Sequence, residues 1–193
     1  MSVEASVVRV GGPVIVGAGL AGLMTAIELS PIPCIVLSAG PVTTGTSTGW
    51  AQGGVAAAVG PDDSADLHTA DTLAAGVALC ELDAVERITR AAPAAIERMA
   101  EVGTRFDRNP DGSYILGLEG AHSRRRIVHA RGDMTGAELL RSCVEKARSL
   151  PSVSLWDNAW GSEVLVSDGR VVGLRVELGG ESSFDKLLDA SGP

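Results

Sequence analysis

The chain has 193 residues, 45% of them apolar, with 24 acidic against 16 basic side chains and a net charge of −8. That length and apolar content suit a sizeable globular core, while the acidic balance argues against nucleic acid or an anionic membrane surface as a partner. No apolar stretch approaches the ~20 residues that cross a bilayer, and no charged region leads into an apolar signal core, so a cytoplasmic protein is expected.

The first strong signal is Val14-Ile-Val-Gly-Ala-Gly-Leu-Ala-Gly22, an apolar strand running into Gly17, Gly19 and Gly22. At that spacing Gly17 allows a tight turn, Gly19 lets backbone approach a pyrophosphate, and Gly22 lets the following helix pack closely on the strand. Leu20, Leu23, Met24 and Ile27 fall on one helical face, and the run from Ile32 to Leu37 supplies the second strand of a βαβ unit. A helix is expected between Asp62 and Cys80 with Leu67, Ala70, Ala74 and Val77 near one face. Asp83 and Glu86 resemble a capping box for a further helix that Pro93 kinks or restarts and Gly103 ends.

Asn109-Pro-Asp-Gly112 reads as a turn and Ile127–Ala130 as a short strand. Asp133 or Thr135 can cap a helix burying Leu139, Leu140, Cys143, Val144 and Ala147, with Pro151 beyond its end. Val164–Val166 and Val171–Val176 flank Ser167-Asp-Gly-Arg170, a hairpin signal, and Phe184–Ala190 can return to the parallel sheet. Cys34, Cys80 and Cys143, odd in number and widely spaced, read as small core residues. With His68, His122 and His129 they form no ligand pattern, and no metal is expected.

An acidic residue normally ends the second strand of a dinucleotide fold to hold the adenosine ribose. Ser38-Ala39 occupies that place, which weighs against ordinary NAD or NADP binding. The segment from Thr43 to Gly54 is rich in small donors, including Ser47, Thr48, Gly49, Trp50, Ala51, Gln52, Gly53 and Gly54. It suits the phosphate, ribityl chain and ring of a flavin, or a flexible surface loop. Glu119 can pair an ammonium or stand as an exposed loop acid. His122 and Arg124–Arg126 can guide a dicarboxylate or pair a phosphate, but for any single arginine a solvated or ion-paired role is favoured. His129 reads as a satisfied structural imidazole, and His68 as facing solvent.

Taken together, Gly17–Gly22, Leu37-Ser-Ala-Gly-Pro41, Ala51-Gln-Gly-Gly-Val-Ala56, His122-Ser-Arg-Arg-Arg-Ile-Val-His-Ala130 and Asp133-Met-Thr-Gly136 resemble the L-aspartate oxidase family. That family is related to the succinate dehydrogenase and fumarate reductase flavoproteins. The resemblance implies an α/β, Rossmann-like FAD-binding domain with a parallel sheet, crossover helices and an antiparallel hairpin or meander near the C-terminal end. It implies that residues 1–193 form the N-terminal part of that domain, without the family's capping and helical C-terminal domains. The alternatives are a fumarate reductase or succinate dehydrogenase fragment, or a noncatalytic flavin-binding module.

The resemblance also implies roles. Ala18, Gly19, Leu20 and Ala21 would meet the diphosphate, Ser38 and Ala39 the adenosine, Ser47 to Gly54 the flavin, and Ala159 the adenine through its backbone. Ser47 stands where the respiratory flavoproteins carry a flavin-linked His, so FAD is expected to be noncovalent. Glu119 would orient the substrate's amino group. The family oxidises L-aspartate to iminoaspartate, with dioxygen or fumarate as acceptor, toward quinolinate and NAD, with a link to quinolinate synthase. Its remaining catalytic groups are expected beyond residue 193, which would leave this chain inactive alone. An exposed edge at 184–190 is expected to lower solubility.

Overall fold

The computed structural model describes residues 6–179 and 184–189. In chain order the elements are β1 (Ser6–Arg9), β2 (Val14–Val16), α1 (Leu20–Leu29), β3 (Cys34–Leu37), a 3-10 turn (Ser47–Trp50), β4 (Val55–Ala56), α2 (Ala65–Ala75), α3 (Leu82–Val102), β5 (Leu116–Gly117), β6 (Ile127–Val128), α4 (Thr135–Arg148), β7 (Val153–Trp156), β8 (Ala159–Ser167), β9 (Arg170–Leu178) and β10 (Phe184–Asp189). They divide into two compact units, one of Met1–Gly49 with Leu140–Pro193 and the other of Trp50–Leu139.

The first unit contains the expected βαβ arrangement. β2, β3 and β7 form a parallel sheet in the order β2-β3-β7, with Val14 opposite Ile35 and Cys34 opposite Val153. All four residues of β3 are buried, which explains its unbroken Cys-Ile-Val-Leu run: a central parallel strand has no solvent face to make polar. The crossover helix α1 buries Leu23, Ala26 and Ile27. A second sheet has the order β1-β10-β9-β8. Its hairpin turns through Asp168 and Gly169, both at positive φ, the backbone that matches the right-handed strand twist. Val10, Ile35, Leu37, Ala159, Leu174, Val176 and Leu188 form a shared buried core.

β10 corrects one expectation. It does not join the nucleotide-type sheet. It lies between β1, parallel to it, and β9, antiparallel, so it is not an edge. The short connection from β9 makes the antiparallel pairing the one with least loop-closure cost, and the N-terminal strand then covers its other side. Ala190 lies outside the described residues.

The second unit packs α2 and α3 beside a small sheet ordered β4-β6-β5. Three readings change here. α2 buries His68 and Thr69, while Leu67, Ala70, Ala74 and Val77 are exposed, because the helix meets α3 through a hydroxyl pair, Thr69 Oγ1 to Thr89 Oγ1 at 2.6 Å. The N-cap of α3 is Glu81, two residues before the expected cap, with no side-chain cap bond, leaving Asp83 in the first turn facing the helix dipole. Pro93 does not interrupt α3. Val85, Thr89, Ile96, Met99 and Val102 are buried on both sides of it. Burial worth about 1.5–3 kcal/mol for each large apolar side chain outweighs the ~3 kcal/mol cost of an interior proline.

Gly103, at φ +112°, ends α3 as expected. The strand expected at 127–130 stops at Val128. Ala130 N–H then turns to the Thr135 hydroxyl at 3.1 Å, at the start of α4. The α4 stripe Leu139, Leu140, Cys143, Val144 and Ala147 is buried as expected. Cys34 and Cys143 are free, and burial pushes both thiols up, Cys143 to about 11. Among the described residues, no helix is long and apolar enough to cross a membrane.

Candidate functional site

β2 runs directly into Gly17, whose φ of +105° is open to glycine and strained for other residues. Its N–H donates to Leu37 O at 2.9 Å and ties the turn to the end of β3. A Cβ on Gly22 would lie 1.9 Å from Gly17 O, so only hydrogen at this position lets α1 start so close to the strand. The N-cap, Gly19, has no capping side chain. Instead Thr48, from the 3-10 turn, accepts Leu20 N–H at 3.1 Å. Leu23 N–H is bonded back to Gly19 O at 3.0 Å. The intervening N–H groups of Ala21 and Gly22 have no acceptor among the described residues. Two aligned donors at the positive end of a helix dipole suit a diphosphate.

Beside this turn opens a cleft of about 170 Å³ lined by Val16, Gly17, Leu37, Ala39, Ala159, Trp160 and Gly161. Ser38 braces it: Ser38 N–H donates to Trp156 O at 2.9 Å and its carbonyl accepts Ala159 N–H at 2.7 Å. The structure thus brings Gly17, Ala39 and Ala159 onto one wall. It also adds Val16, Leu37, Trp160 and Gly161, which were not singled out in the sequence. The lining carries no carboxylate.

The loop from Gly40 is held by Asp157, whose carboxylate accepts Val42 N–H at 2.5 Å. Within it the Thr46 hydroxyl is buried without a partner among the described residues. Ser47 is exposed, whereas Thr48 and Gly49 are half-buried and Ala18 is buried. An open glycine turn, two unengaged helix donors, an apolar cleft and an orphan hydroxyl fit the adenosine-diphosphate half of FAD.

In the second unit Trp50, Ala51, Gln52 and Gly53 form an exposed strip. The strip is anchored at both ends. Ala51 O accepts Gly136 N–H at 3.0 Å, and a Cβ on Gly54 would come within 2.6 Å of Val128 O. The half-buried His129 ring lies against Gly54 and Gly117, and its nitrogens make no hydrogen bond among the described residues. Glu119 is exposed in the turn between β5 and β6, where its carbonyl accepts His122 N–H at 3.3 Å.

The arginine run separates into three roles. Arg126 is fully buried, forming paired bonds to Asp63 at 2.8 Å each and a third to Asp71 at 2.8 Å. The ion-paired reading therefore holds for it, though in the interior and not at a strand edge. Arg124 leans on Asp62 at the surface, Nε to the carbonyl at 3.2 Å, and Arg125 is exposed. Asp71 also accepts Ser123 N–H at 2.7 Å and Ser123 Oγ–H at 2.8 Å. Burial works to raise its pKa, but the Ser123 bonds and Arg126 together hold it below the ordinary carboxylate value.

His68 corrects the solvent-facing expectation. It is 6% exposed, its Nδ1 lacks a partner among the described residues, and its ring meets His122 edge-on at 5.7 Å. Burial first, then Arg126 and His122, push its pKa down against the pull of Asp63 and Asp71. Asp63 and Asp71 went unread because their partner stands some sixty residues away, with no local pattern linking them.

Residues 13–192 match the family model described as FAD binding domain. The chain is 51% identical over 170 residues to an L-aspartate oxidase of Mesorhizobium japonicum, covering 88% of this chain and 33% of that one. It is 47% identical over 178 residues to an L-aspartate oxidase of Agrobacterium fabrum, covering 92% and 34%. It therefore spans about a third of the length of these curated relatives. Among solved structures, a mutant E. coli quinol fumarate reductase superposes with a TM-score of 0.84 at 28% identity, over 95% of this chain and 32% of that one. The apo Mycobacterium smegmatis Sdh1 complex does so with a TM-score of 0.84 at 25% identity, over 96% and 33%.

Proposed function

The chain belongs to the FAD binding domain family, and from that premise we propose that it is the FAD-binding portion of a longer flavoenzyme that oxidises L-aspartate to iminoaspartate. The observation that carries the cofactor reading is the pair of unengaged N–H groups, Ala21 and Gly22, at the start of α1. The likeness to L-aspartate oxidases supports the substrate.

In this reading Ala18, Gly19, Leu20, Ala21 and Gly22 receive the diphosphate at the Gly17 turn. Ser38, Ala39 and Ala159 border the adenosine, and Ser47, Thr48, Gly49, Trp50, Ala51, Gln52, Gly53 and Gly54 run along the ribityl chain and ring. FAD, when bound, supplies the acceptor for a hydride from the substrate carbon that bears the amino group. The chain's own residues bind and orient. Glu119, acceptor-only when ionised, holds the substrate ammonium so that its carbon faces the ring. Ser47 has no nucleophilic nitrogen to bond the flavin, so the cofactor is held noncovalently. The pathway toward quinolinate and NAD, dioxygen or fumarate as acceptor, a link to quinolinate synthase and a cytoplasmic location complete the proposal.

A second reading, a fumarate reductase or succinate dehydrogenase type flavoprotein, is favoured by the fumarate reductase superposition. Absorbance of the purified protein before and after acid denaturation tests the cofactor reading: yellow flavin released into the supernatant is expected. Flavin left on the precipitated chain refutes noncovalent binding, and failure to take up added FAD refutes the cofactor site. Aspartate-dependent peroxide from the complete enzyme supports the first reading, whereas fumarate reduction without amine oxidation replaces it with the second.

A further inference from the structure

The turn carrying Glu119 is the long connection between β5 and β6, whose strands pair only at Leu116 with Val128 and Gly117 with Ile127. A connection of this kind has little to fix its tip. Within it Ala121 sits at φ +69°, a backbone that an alanine holds only when its surroundings impose it. The imposing contact comes from α2. One oxygen, Asp71 Oδ2, accepts Ser123 N–H at 2.7 Å, Ser123 Oγ–H at 2.8 Å and Arg126 Nη1–H at 2.8 Å. Arg126 is in turn locked by its paired bonds to Asp63, and its own N–H returns to Gly117 O at 3.1 Å. His122 lies between, 3.4 Å from Arg126 Nη1. Among the described residues, the bonds that tie residues 122–126 to α2 or to the loop before it end on Asp62, Asp63 and Asp71, apart from Ala57 N–H to Arg126 O at 2.9 Å, and only Asp71 binds both Ser123 and Arg126.

We infer that Asp71 is a positioning residue for amine recognition: it fixes the 118–125 turn so that Glu119 is presented to the substrate's amino group. This rests on the reading of Glu119 given above. The effect is specific to ligands with an amine, because a rigid turn places a single carboxylate and a loose one averages it over many positions.

The test uses the FAD-loaded complete enzyme and compares the KM for L-aspartate with the inhibition constant of succinate, which has the two carboxylates and no amine. Asp71→Asn is expected to raise the aspartate KM about tenfold while leaving succinate inhibition and flavin content unchanged. In parallel, hydrogen exchange at 120–123 should speed up by about tenfold. Asp66→Asn removes the same charge from an exposed position on the same helix, paired with Arg90 at 3.1 Å, and should change neither.

An unchanged aspartate KM in Asp71→Asn, or an equal loss for aspartate and succinate, overturns the inference. If Asp71→Asn does not fold, Ser123→Ala is read by the same criteria, with an expected rise of about threefold from one lost hydrogen bond. If Glu119→Gln leaves the aspartate KM unchanged, the Glu119 reading fails instead. Exchange at 120–123 then decides separately whether Asp71 holds the turn.

Discussion

Replacing Gly22 by alanine sets two effects against each other at one atom. In a helix interior alanine is favoured over glycine by about 1 kcal/mol, so propensity alone predicts a more stable protein. The added Cβ, however, would stand 1.9 Å from Gly17 O and 3.3 Å from Ile15 Cγ2. The first neighbour is backbone and cannot rotate away, so α1 must lift from β2. A forced shift of that kind sits at the upper end of overpacking costs, about 3 kcal/mol, leaving a net loss of about 2 kcal/mol.

For a chain of this size that loss corresponds to a drop in Tm of about 4–8 °C, readable by thermal denaturation followed by circular dichroism. The same displacement moves the Ala21 and Gly22 N–H groups off the diphosphate. FAD affinity should therefore fall by about tenfold in a flavin titration, equivalent to about 1.4 kcal/mol. Thr25→Ala is the matched control: Thr25 is exposed on the same helix and bonds only back to Ala21 O, so its replacement should slightly raise Tm. A Gly22→Ala protein that melts with or above the wild type and binds FAD as tightly would refute the close-packing argument.

Four further outcomes are expected. Because the folded-state pKa of His68 lies below the unfolded value of about 6.5, the unfolded chain takes up the proton first. Stability is then complete above about pH 7 and declines as pH falls through 6.5 toward the folded value, and His68→Gln should flatten this step in urea midpoints measured from pH 8 to 5. Asp63→Ala leaves the buried Arg126 guanidinium short of two bonds and should cost about 3–5 kcal/mol by urea unfolding. Arg124→Ala, at the surface, should stay within about 0.5 kcal/mol. Thr48→Val keeps shape but removes the acceptor for Leu20 N–H, and should cost about 1 kcal/mol by thermal melt and weaken FAD binding.

The glycine turn, α1, β3, the α4 stripe and the 164–176 hairpin were legible because each is dictated locally, by periodicity, by a turn that needs positive φ, or by a spacing fixed by a helix start. Ser38 was equally legible as the place where a carboxylate is missing. What failed was decided at a distance. The face of α2 is set by Thr69 meeting Thr89 of another helix, which hydrophobic periodicity cannot register. His68 lies inside with its ring edge-on to His122, a neighbour more than fifty residues on. Pro93 persists because the buried stripe continues past it, an energetic balance invisible to a residue-by-residue rule. β1 and β7 are four residues each, too short for a period to declare itself, and exist as strands because β10 and β3 supply their partners.

The register between β3 and β7 has a consequence for biosynthesis. Cys34 pairs with Val153 and Leu37 with Trp156, partners about 120 residues apart. At ribosomal rates of about 5–20 residues per second, β3 is synthesised about 6–24 s before its second neighbour. Throughout that interval one backbone edge of this apolar strand lacks the partner it pairs with in the finished sheet, while residues 50–139 are still being made. Early cofactor capture cannot close that gap, since Ala159, on one wall of the nucleotide cleft, is translated later still. Chaperone demand during synthesis should accordingly track translation speed across 50–150, and synonymous codon changes that slow this stretch should lower soluble yield without altering a single side chain.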